Sequence, residues 1–314
     1  MIDPEIQAFL DEMKRRWAEH PPFGTLDFPS QRAVCETVRA RWAEGGPAMG
    51  ETAEHVFDPG AGELRIRVYR PEGVASPAPA LVYLHGGGFT LFSIDTHDRL
   101  MREYAEAGGF AVIGVDYPLS PEHKYPEALD RIEAFMLWLR AHGDELGVDP
   151  ARLAMGGDSA GANLCFATSL RLREKGAIGT IRAILSNYGY FTPEISDRAE
   201  ARFGGPGSIM DRAEAQSYYV NYLANWDAGQ RDPLACPAHA SFAEFPPVFL
   251  VIPEHDILSE QSLDMETRLE RAGVKATTKI YPGATHSFLE AMSVAQVARK
   301  AIHDGAVFIR ARLA

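Results

Sequence analysis

The stretch RLAMGGDSAGANLCFATSL, residues 152–170, places a serine between two glycines at a change of pattern. The apolar run RLAMGG predicts a buried strand, and GANLCFATSLRLR predicts a helix that begins soon after it. Ser159 therefore lies on a strand-to-helix turn. Serine commonly caps the start of a helix, but a tight turn between glycines also presents a serine hydroxyl at a sheet edge. Residues 157–161 alone do not decide between these two uses.

Short apolar runs alternate with amphipathic helical segments along most of the chain. The other strand-like runs are ALVYLH (80–85), FAVIGVDY (110–117), AILSNYG (183–189), PVFLVIPE (247–254) and TTKIYPG (277–283). Apolar strands separated by helices predict a mostly parallel sheet that is covered on both faces. Alternating residues around a glycine-rich turn in residues 54–71 predict an antiparallel hairpin before it. We expect an α/β fold with about eight strands.

Two segments depart from this alternation. Residues 1–45 predict two helices, separated at PPFG, each with its apolar residues on one face. Residues 191–245 are far longer than a crossover needs and contain a tyrosine-rich helical piece. We expect both segments to form a helical cap over a core made of residues 46–190 and 246–314, within one folded unit.

Composition and charge argue against several classes of binding partner. The 314 residues carry a formal net charge of −12, which argues against nucleic acid and against anionic membrane surfaces. The three cysteines Cys35, Cys165 and Cys236 do not have the spacing of a zinc site, and we expect neither a metal nor a cofactor. No signal peptide or apolar run of about 20 residues is present. These features predict a cytoplasmic protein, either a monomer or a homodimer, that acts on a small molecule.

A nucleophilic serine needs a general base, which is usually an imidazole oriented by a carboxylate. After a serine on such a turn, the acid precedes the histidine in the chain. His286 lies in a short loop after the last predicted strand, and Asp256 lies just after the preceding strand. We therefore predict the triad Ser159, Asp256 and His286. Glu254 is an alternative acid, although a carboxylate at a strand end is often simply solvated.

A glycine-rich loop follows the strand ALVYL. The sequence HGGGFT, residues 85–90, leaves backbone N–H groups free to turn toward one point. Such donors stabilise negative charge on a carbonyl oxygen, and each is worth about 3–4 kcal/mol of the barrier. We predict an oxyanion hole made by the amides of Gly87, Gly88 and Ala160. Gly86 and His85 are expected to support this loop, with His85 orienting it and not serving as a second base.

HGGG, GDSAG, Asp256 and His286 occur in this order, and with them the chain resembles the bacterial hormone-sensitive-lipase-like esterases of the α/β-hydrolase fold. The resemblance covers nearly the whole chain and is closest to bacterial acetyl esterases, through SIDTHDRLMR and VDYPLSPEHKYPEAL. The family pattern Asp-Tyr-Arg-x-x-Pro-Glu has Pro118 in place of the arginine. The resemblance implies that Glu122, which is retained, supports the active-site loops.

The resemblance also implies a function. We expect a serine carboxylesterase that hydrolyses short acyl esters, from acetyl to about hexanoyl, through an acyl-enzyme. Hydrolysis of a small amide, or small-molecule binding with weak catalysis, are the alternatives. Phe89, Phe92, Tyr188 and Tyr218 are candidate substrate contacts, although some of these rings equally fit core or cap packing. Asp158 either anchors the turn or borders the cap, and we do not expect it to be catalytic.

Overall fold

Two helices precede the sheet in the structure, a computed structural model that describes residues 1–205 and 208–314. They are α1 (Pro4–Trp17) and α2 (Phe28–Ala43). The side chain of Asp3 accepts backbone hydrogen bonds at the start of α1, and three basic residues lie in its last turn. Both features favour a helix with these ends, because they match the free N–H groups and the dipole.

One sheet contains all eight strands of the described residues, as expected. The strands are β1 (Glu51–Phe57), β2 (Leu64–Arg70), β3 (Ala78–Leu84), β4 (Ala111–Asp116), β5 (Val148–Asp158), β6 (Ile181–Asn187), β7 (Val248–His255) and β8 (Ala276–Thr285). Their order across the sheet is β1-β2-β4-β3-β5-β6-β7-β8. β2 pairs antiparallel with both β1 and β4, and the remaining neighbours are parallel. The predicted α/β fold with an N-terminal hairpin is confirmed.

Helices cover both faces of this sheet. The later helices are α3 (Asp98–Gly108), α4 (Glu127–His142), α5 (Ala160–Glu174), α6 (Asp197–Phe203), α7 (Arg212–Tyr222), α8 (Trp226–Gly229), α9 (Ser259–Arg271) and α10 (Gln296–Leu313). α3 and α10 contribute to one apolar core, whereas α4, α5 and α9 contribute to the other. Among these and the N-terminal helices, none in the described residues has the length and apolar character needed to cross a membrane.

β3 explains why the central strands are apolar at successive positions. Val82 and Leu84 pack into the core beside α4 and α5, while Leu81 and Tyr83 pack into the core beside α3 and α10. All four side chains are fully buried. A strand with helices on both faces has no solvent side, so its sequence is apolar throughout.

The register of the parallel strands brings separate loops to one edge of the sheet. Leu84, the last residue of β3, is paired with Gly157 near the end of β5. His255, at the end of β7, is paired with Thr285 at the end of β8. The glycine-rich loop therefore begins beside the serine turn. The loop that contains Asp256 likewise begins beside the loop that contains His286.

The two predicted cap segments pack against opposite faces of the sheet. α1 and α2 join the core of α3 and α10, where the rings of Phe9 and Trp42 pack edge to face at 5.2 Å between centroids. α6, α7 and α8 fall within residues 191–245, and α7 contributes Tyr219 and Tyr222 to the other core. The sheet thus has helical segments from these two parts of the chain on both faces.

We predict that Leu185→Ala lowers the free energy of unfolding by about 2–5 kcal/mol, because it removes a fully buried side chain from the middle of β6. Leu263→Ala is the matched control, since Leu263 in α9 is 39% exposed, and we expect a change within about 0.5 kcal/mol. Urea unfolding followed by tryptophan fluorescence measures both. Equal shifts for the two variants contradict the placement of β6 in the core.

Candidate active site

The backbone conformation of Ser159 distinguishes a helix-capping serine from one whose hydroxyl is presented at the sheet edge. Ser159 directly precedes α5 with φ 52° and ψ −116°, a left-handed conformation that is rare outside glycine. Its side chain makes no capping hydrogen bond to the helix. Its N–H donates instead to the carbonyl of Asn187 at the end of β6, at 2.9 Å. The hydroxyl is therefore free of the helix and projects from the turn.

Two glycines allow this turn to sit against β3. A Cβ atom at Gly157 would lie 2.5 Å from the carbonyl oxygen of Leu84, and one at Gly161 would lie 2.0 Å from the same oxygen. No real Cβ contact is that short, and the obstructing atom is backbone. The glycines therefore permit the approach between the serine turn and the end of β3.

The three predicted catalytic side chains form one hydrogen-bonded chain. Ser159 Oγ lies 3.1 Å from His286 Nε2, and His286 Nδ1 lies 2.9 Å from Asp256 Oδ2. The other oxygen of Asp256 accepts the backbone N–H of Leu258 at 2.9 Å. Glu254, the alternative acid, accepts a backbone N–H from β8 and makes no contact with the triad among the described residues. The Nδ1–H donates to the carboxylate, which leaves Nε2 to accept the serine proton.

Burial and charge act in opposite directions on His286. Its ring is buried, and burial alone lowers the pKa of an imidazole. The charge and hydrogen bond of Asp256 outweigh this effect, and the carboxylates of Asp158 and Glu214 add to it. The pKa of His286 is therefore raised above its usual value, as suits a base that must hold the proton of a serine during reaction.

The glycine-rich loop has free backbone donors, and two of its glycines line the same cavity as the serine. Gly87 and Gly88 both have positive φ, at 113° and 59°. The carbonyl of Gly87 accepts the N–H groups of Thr90 and Leu91 at 3.0 and 2.9 Å, which closes the loop into a tight turn. Within the described residues, the N–H groups of Gly87, Gly88 and Ala160 donate no backbone hydrogen bond. Three such donors next to a serine can stabilise an oxyanion.

Comparison with known proteins agrees with this geometry. A family model for the alpha/beta hydrolase fold matches residues 81–290. The chain belongs to the α/β-hydrolase family. The match extends from β3 through the loop that follows β8, so it includes every element that carries the triad and the glycine-rich loop.

Relatives and solved structures extend the likeness over the full chain. An acetyl esterase of Salmonella dublin is 34% identical, over 99% of this chain and 97% of the relative. An ester-hydrolase from the metagenome of Lake Arreo, solved with a bipyridine phosphonate derivative, is 30% identical with a TM-score of 0.91 and covers 99% of both chains. An esterase of the archaeon Pyrobaculum calidifontis is 27% identical with a TM-score of 0.89, over 99% and 98%. The expected family resemblance is confirmed.

In this α/β-hydrolase, Asp158 joins the serine turn to the glycine-rich loop. One carboxylate oxygen accepts the N–H of Gly86 and the hydroxyl of Tyr83, both at 3.0 Å. The other lies 3.4 Å from His97 Nε2. Burial would raise the pKa of Asp158, but the interactions with His97 and Tyr83 outweigh it and lower the pKa. Asp158 thus has the anchoring position that the sequence left open, and it does not contact the hydroxyl of Ser159 in the described residues.

His85 is held inside the loop and away from the reacting atoms. Its Nδ1–H donates to the carbonyl of Gly86 at 2.7 Å, and its ring stacks on Tyr117 at 4.3 Å between centroids. Burial, assisted by the charge of His97, lowers the pKa of His85 to about 3. The imidazole is therefore neutral at pH 7 and supports the loop, in the position expected for an orienting residue.

Glu122 reaches the loop through a residue that the sequence did not single out. Arg32, on α2, donates from Nε to the carbonyl of Thr90 at 2.9 Å and from Nη2 to that of Ser120 at 2.8 Å. The same guanidinium binds both oxygens of Glu122, which lowers the pKa of that carboxyl. Glu122 thus orients Arg32, and Arg32 ties α2 to the residues after the glycines.

A cavity of about 860 Å³ opens onto the triad, and two of the four predicted aromatic contacts line it. Phe92 and Tyr218 lie in its wall together with Ser159. Phe89 and Tyr188 do not line it, contrary to expectation, and both are fully buried at positive φ. Both rings turn inward, and periodicity along the chain does not reveal this direction.

The rings of Phe89 and Tyr188 pack against residues of the site from outside the cavity. Phe89 stacks on Tyr222 with ring centroids 3.9 Å apart. Tyr188 packs edge to face on the ring of His286 at 5.0 Å. Phe89 therefore joins the glycine-rich loop to α7, and Tyr188 supports the imidazole of His286.

A buried arginine was also missed by the sequence analysis. Arg39 lines the cavity from α2, forms an ion pair with Glu290, and lies over the ring of Phe92 at 4.5 Å. Burial lowers its pKa to about 10, so it remains charged at pH 7. Arg39 and Arg32 lie seven residues apart and share one face of α2.

Among the described residues, no group of three or more His, Cys, Asp or Glu side chains is arranged to hold a metal.

We predict that the acidic limb of the kcat/KM profile has its midpoint above pH 6.5, the usual imidazole value. His286 must be neutral to accept the serine proton, and its pKa is raised, so activity is lost as pH falls through that higher value. Rates on a neutral ester from pH 5 to 9 measure the limb. A wild-type midpoint below 6 contradicts the assigned base.

We also predict that Asp256→Asn lowers kcat about 10⁴-fold.

We predict that Arg32→Ala lowers kcat about tenfold with little change in KM, because the carbonyl of Thr90 loses its donor and the oxyanion loop is less fixed. Glu122→Gln is the control, since Arg32 keeps both carbonyl bonds in that variant, and its effect should be smaller than threefold. Steady-state kinetics on one ester compares them. Similar losses in the two variants would show that the ion pair, and not the carbonyl bond, fixes the loop.

Proposed function

We propose that this chain is a serine carboxylesterase that hydrolyses short acyl esters, from acetyl to about hexanoyl, through an acyl-enzyme. The observation that carries the proposal is the continuous hydrogen-bonded chain from Asp256 through His286 to Ser159 beside the glycine-rich loop. Carboxylic ester hydrolysis is also the activity that the names of its relatives give, including the acetyl esterase of Salmonella dublin.

Acylation begins when Ser159 Oγ attacks the ester carbonyl carbon. Its proton passes to His286 Nε2, and the carbonyl oxygen becomes an oxyanion that accepts from the amides of Gly87, Gly88 and Ala160. Asp256 stabilises the imidazolium that forms. The intermediate collapses as the bond to the alcohol oxygen breaks, and His286 gives its proton to that oxygen.

Deacylation repeats these steps with water in place of serine. His286, again neutral, removes a proton from water as the water oxygen attacks the acyl carbon on Ser159. The same amides stabilise the second oxyanion. Its collapse releases the carboxylic acid and returns the proton from His286 to Ser159 Oγ, so that the enzyme ends as it began.

The short-acyl part of the proposal depends on aromatic side chains beside the nucleophile. Phe92 and Tyr190 line the cavity together with Ser159 and leave bulky rings near the attacked carbon. Two relatives, from Salmonella dublin and Salmonella typhi, are named acetyl esterases. A cavity of about 860 Å³ is ample for the alcohol part of an ester.

The proposal includes a cytoplasmic location, with the oligomeric state left as monomer or homodimer. The three cysteines are free and buried, which agrees with a reducing compartment.

We predict that Ser159→Ala lowers kcat for p-nitrophenyl acetate by about 10⁵-fold or more, because the variant lacks the nucleophile. Diethyl p-nitrophenyl phosphate should inactivate the wild type by labelling Ser159, identified by peptide mass spectrometry. Ser208→Ala is the control, since Ser208 lines the same cavity but donates its hydroxyl to the carbonyl of Gly205. Turnover that survives Ser159→Ala, or a label elsewhere, overturns the assignment.

The acyl range is tested on p-nitrophenyl esters from acetate to decanoate. We expect the maximum of kcat/KM at six carbons or fewer, and a maximum at ten contradicts the short-acyl proposal. A matched ester and anilide separate ester from amide hydrolysis, and binding of the ester without turnover would favour the binding-protein alternative.

A further inference from the structure

Glu214 brings into the catalytic cavity a carboxylate that the proposed ester chemistry does not use. It lies in the first turn of α7 and lines the cavity together with Ser159, His286 and Tyr218. Its side chain is partly exposed, and one of its oxygens accepts the hydroxyl of Tyr218 at 3.1 Å. The carboxylate is therefore accessible to a molecule bound beside the nucleophile.

An ordinary helix-capping role does not account for this orientation. Asp211 caps α7, and its side chain accepts the N–H of Glu214 at 2.8 Å. In a capping box, a glutamate at this position reaches back to the N–H of the cap residue. Among the described residues, no such hydrogen bond joins the carboxylate of Glu214 to Asp211. The side chain is turned toward the cavity instead.

The charge of Glu214 has no cationic partner in the described part of the chain. The neighbouring Arg212 pairs with Asp197 at 2.7 Å. Burial, followed by the charge of Asp211, raises the pKa of Glu214, and the hydrogen bond from Tyr218 only partly offsets this. A partly desolvated carboxylate with no ion-pair partner is stabilised when a cation binds beside it.

Two charged side chains beside Glu214 in the cavity already have partners. Arg39 has a buried carboxylate partner, and Asp158 is held by hydrogen bonds from the glycine-rich loop and β3. Asp11 and Lys14 also line the cavity, from α1. Glu214 shares the cavity wall with the nucleophile and has no ion pair within the described residues.

We expect the alcohol part of an ester to lie near Glu214, which lines one cavity with His286. In the proposed mechanism His286 gives its proton to the alcohol oxygen, so the alcohol lies on the side of that ring. Glu214 is close enough to His286 for their charges to interact. The ring of Tyr218 packs on Gly88, where a Cβ would lie 2.3 Å away, so an aromatic ring stands beside the carboxylate.

We infer that this cavity selects esters whose alcohol part carries a substituted ammonium, bound between the carboxylate of Glu214 and the ring of Tyr218. A carboxylate next to an aromatic ring provides both interactions that such a cation makes, an ion pair and a cation–π contact. This inference rests on the proposed esterase function. It adds the class of alcohol, which neither the triad nor the oxyanion loop determines.

The test compares acetylcholine with 3,3-dimethylbutyl acetate, a neutral ester of the same shape, by titrating released acetic acid at pH 8. We expect kcat/KM of the wild type to favour acetylcholine by about tenfold. Glu214→Gln keeps the size of the side chain and an acceptor for Tyr218, and should bring the ratio close to one. Both esters are measured on one preparation, so a loss of folded enzyme cancels from the ratio.

Asp227→Asn is the matched control. Asp227 is an exposed cap carboxylate on α8 that does not line the cavity, so its variant should keep the wild-type ratio. A wild-type ratio near one, or a preference for acetylcholine that survives Glu214→Gln, overturns the inference while leaving the esterase proposal intact. A wild type that hydrolyses neither ester nor p-nitrophenyl acetate overturns the esterase proposal itself.

A second measurement needs no variant. Choline and 3,3-dimethylbutan-1-ol are compared as competitive inhibitors of p-nitrophenyl acetate hydrolysis by the wild type. We expect the inhibition constant of choline to be about tenfold lower, because only choline supplies a cation to Glu214. Equal constants overturn the inference.

Discussion

The left-handed backbone of Ser159 is the constraint on which the site depends. A non-glycine residue at φ 52° is strained, and such a conformation persists only where the surroundings enforce it. Here Gly157 and Gly161 let the turn press against the end of β3, and the carbonyl of Asn187 holds the serine N–H. The same turn points Oγ toward His286 and leaves the N–H of Ala160 free, so nucleophile and oxyanion donor are fixed together.

The serine turn can hold its hydroxyl beside the N–H groups of the glycine-rich loop only if that loop is equally fixed. Asp158 connects the two, because the residue just before the nucleophile accepts the N–H of Gly86. From the other side Arg32 binds the carbonyl of Thr90, and Arg39 lies over Phe92. These arginines are on α2, so a helix of the proposed cap contacts the proposed oxyanion loop and also lines the cavity. Cap and catalytic machinery are therefore mechanically connected.

Local pattern was enough to predict the sheet and the hairpin. The side chains predicted as a triad lie within hydrogen-bonding distance of one another, because parallel strands bring their carboxyl ends to one edge. Local pattern was not enough for side-chain direction within loops. Phe89 and Phe92 are three residues apart and both have positive φ, yet one packs on the cap and the other lines the cavity. Arg32 and Arg39 meet their partners across the fold, so no local pattern indicates them.

Three carboxylates near the nucleophile differ in function because their partners differ. Asp256 faces the imidazole of His286, and its charge stabilises the protonated base. Asp158 accepts from backbone and tyrosine donors and is used structurally. Glu214 has only a tyrosine hydroxyl, so its charge remains available to a ligand. The role of each carboxylate follows from how many hydrogen-bond and ion-pair partners the protein gives it. Glu214 has the fewest partners, so we expect the substrate to supply the missing one.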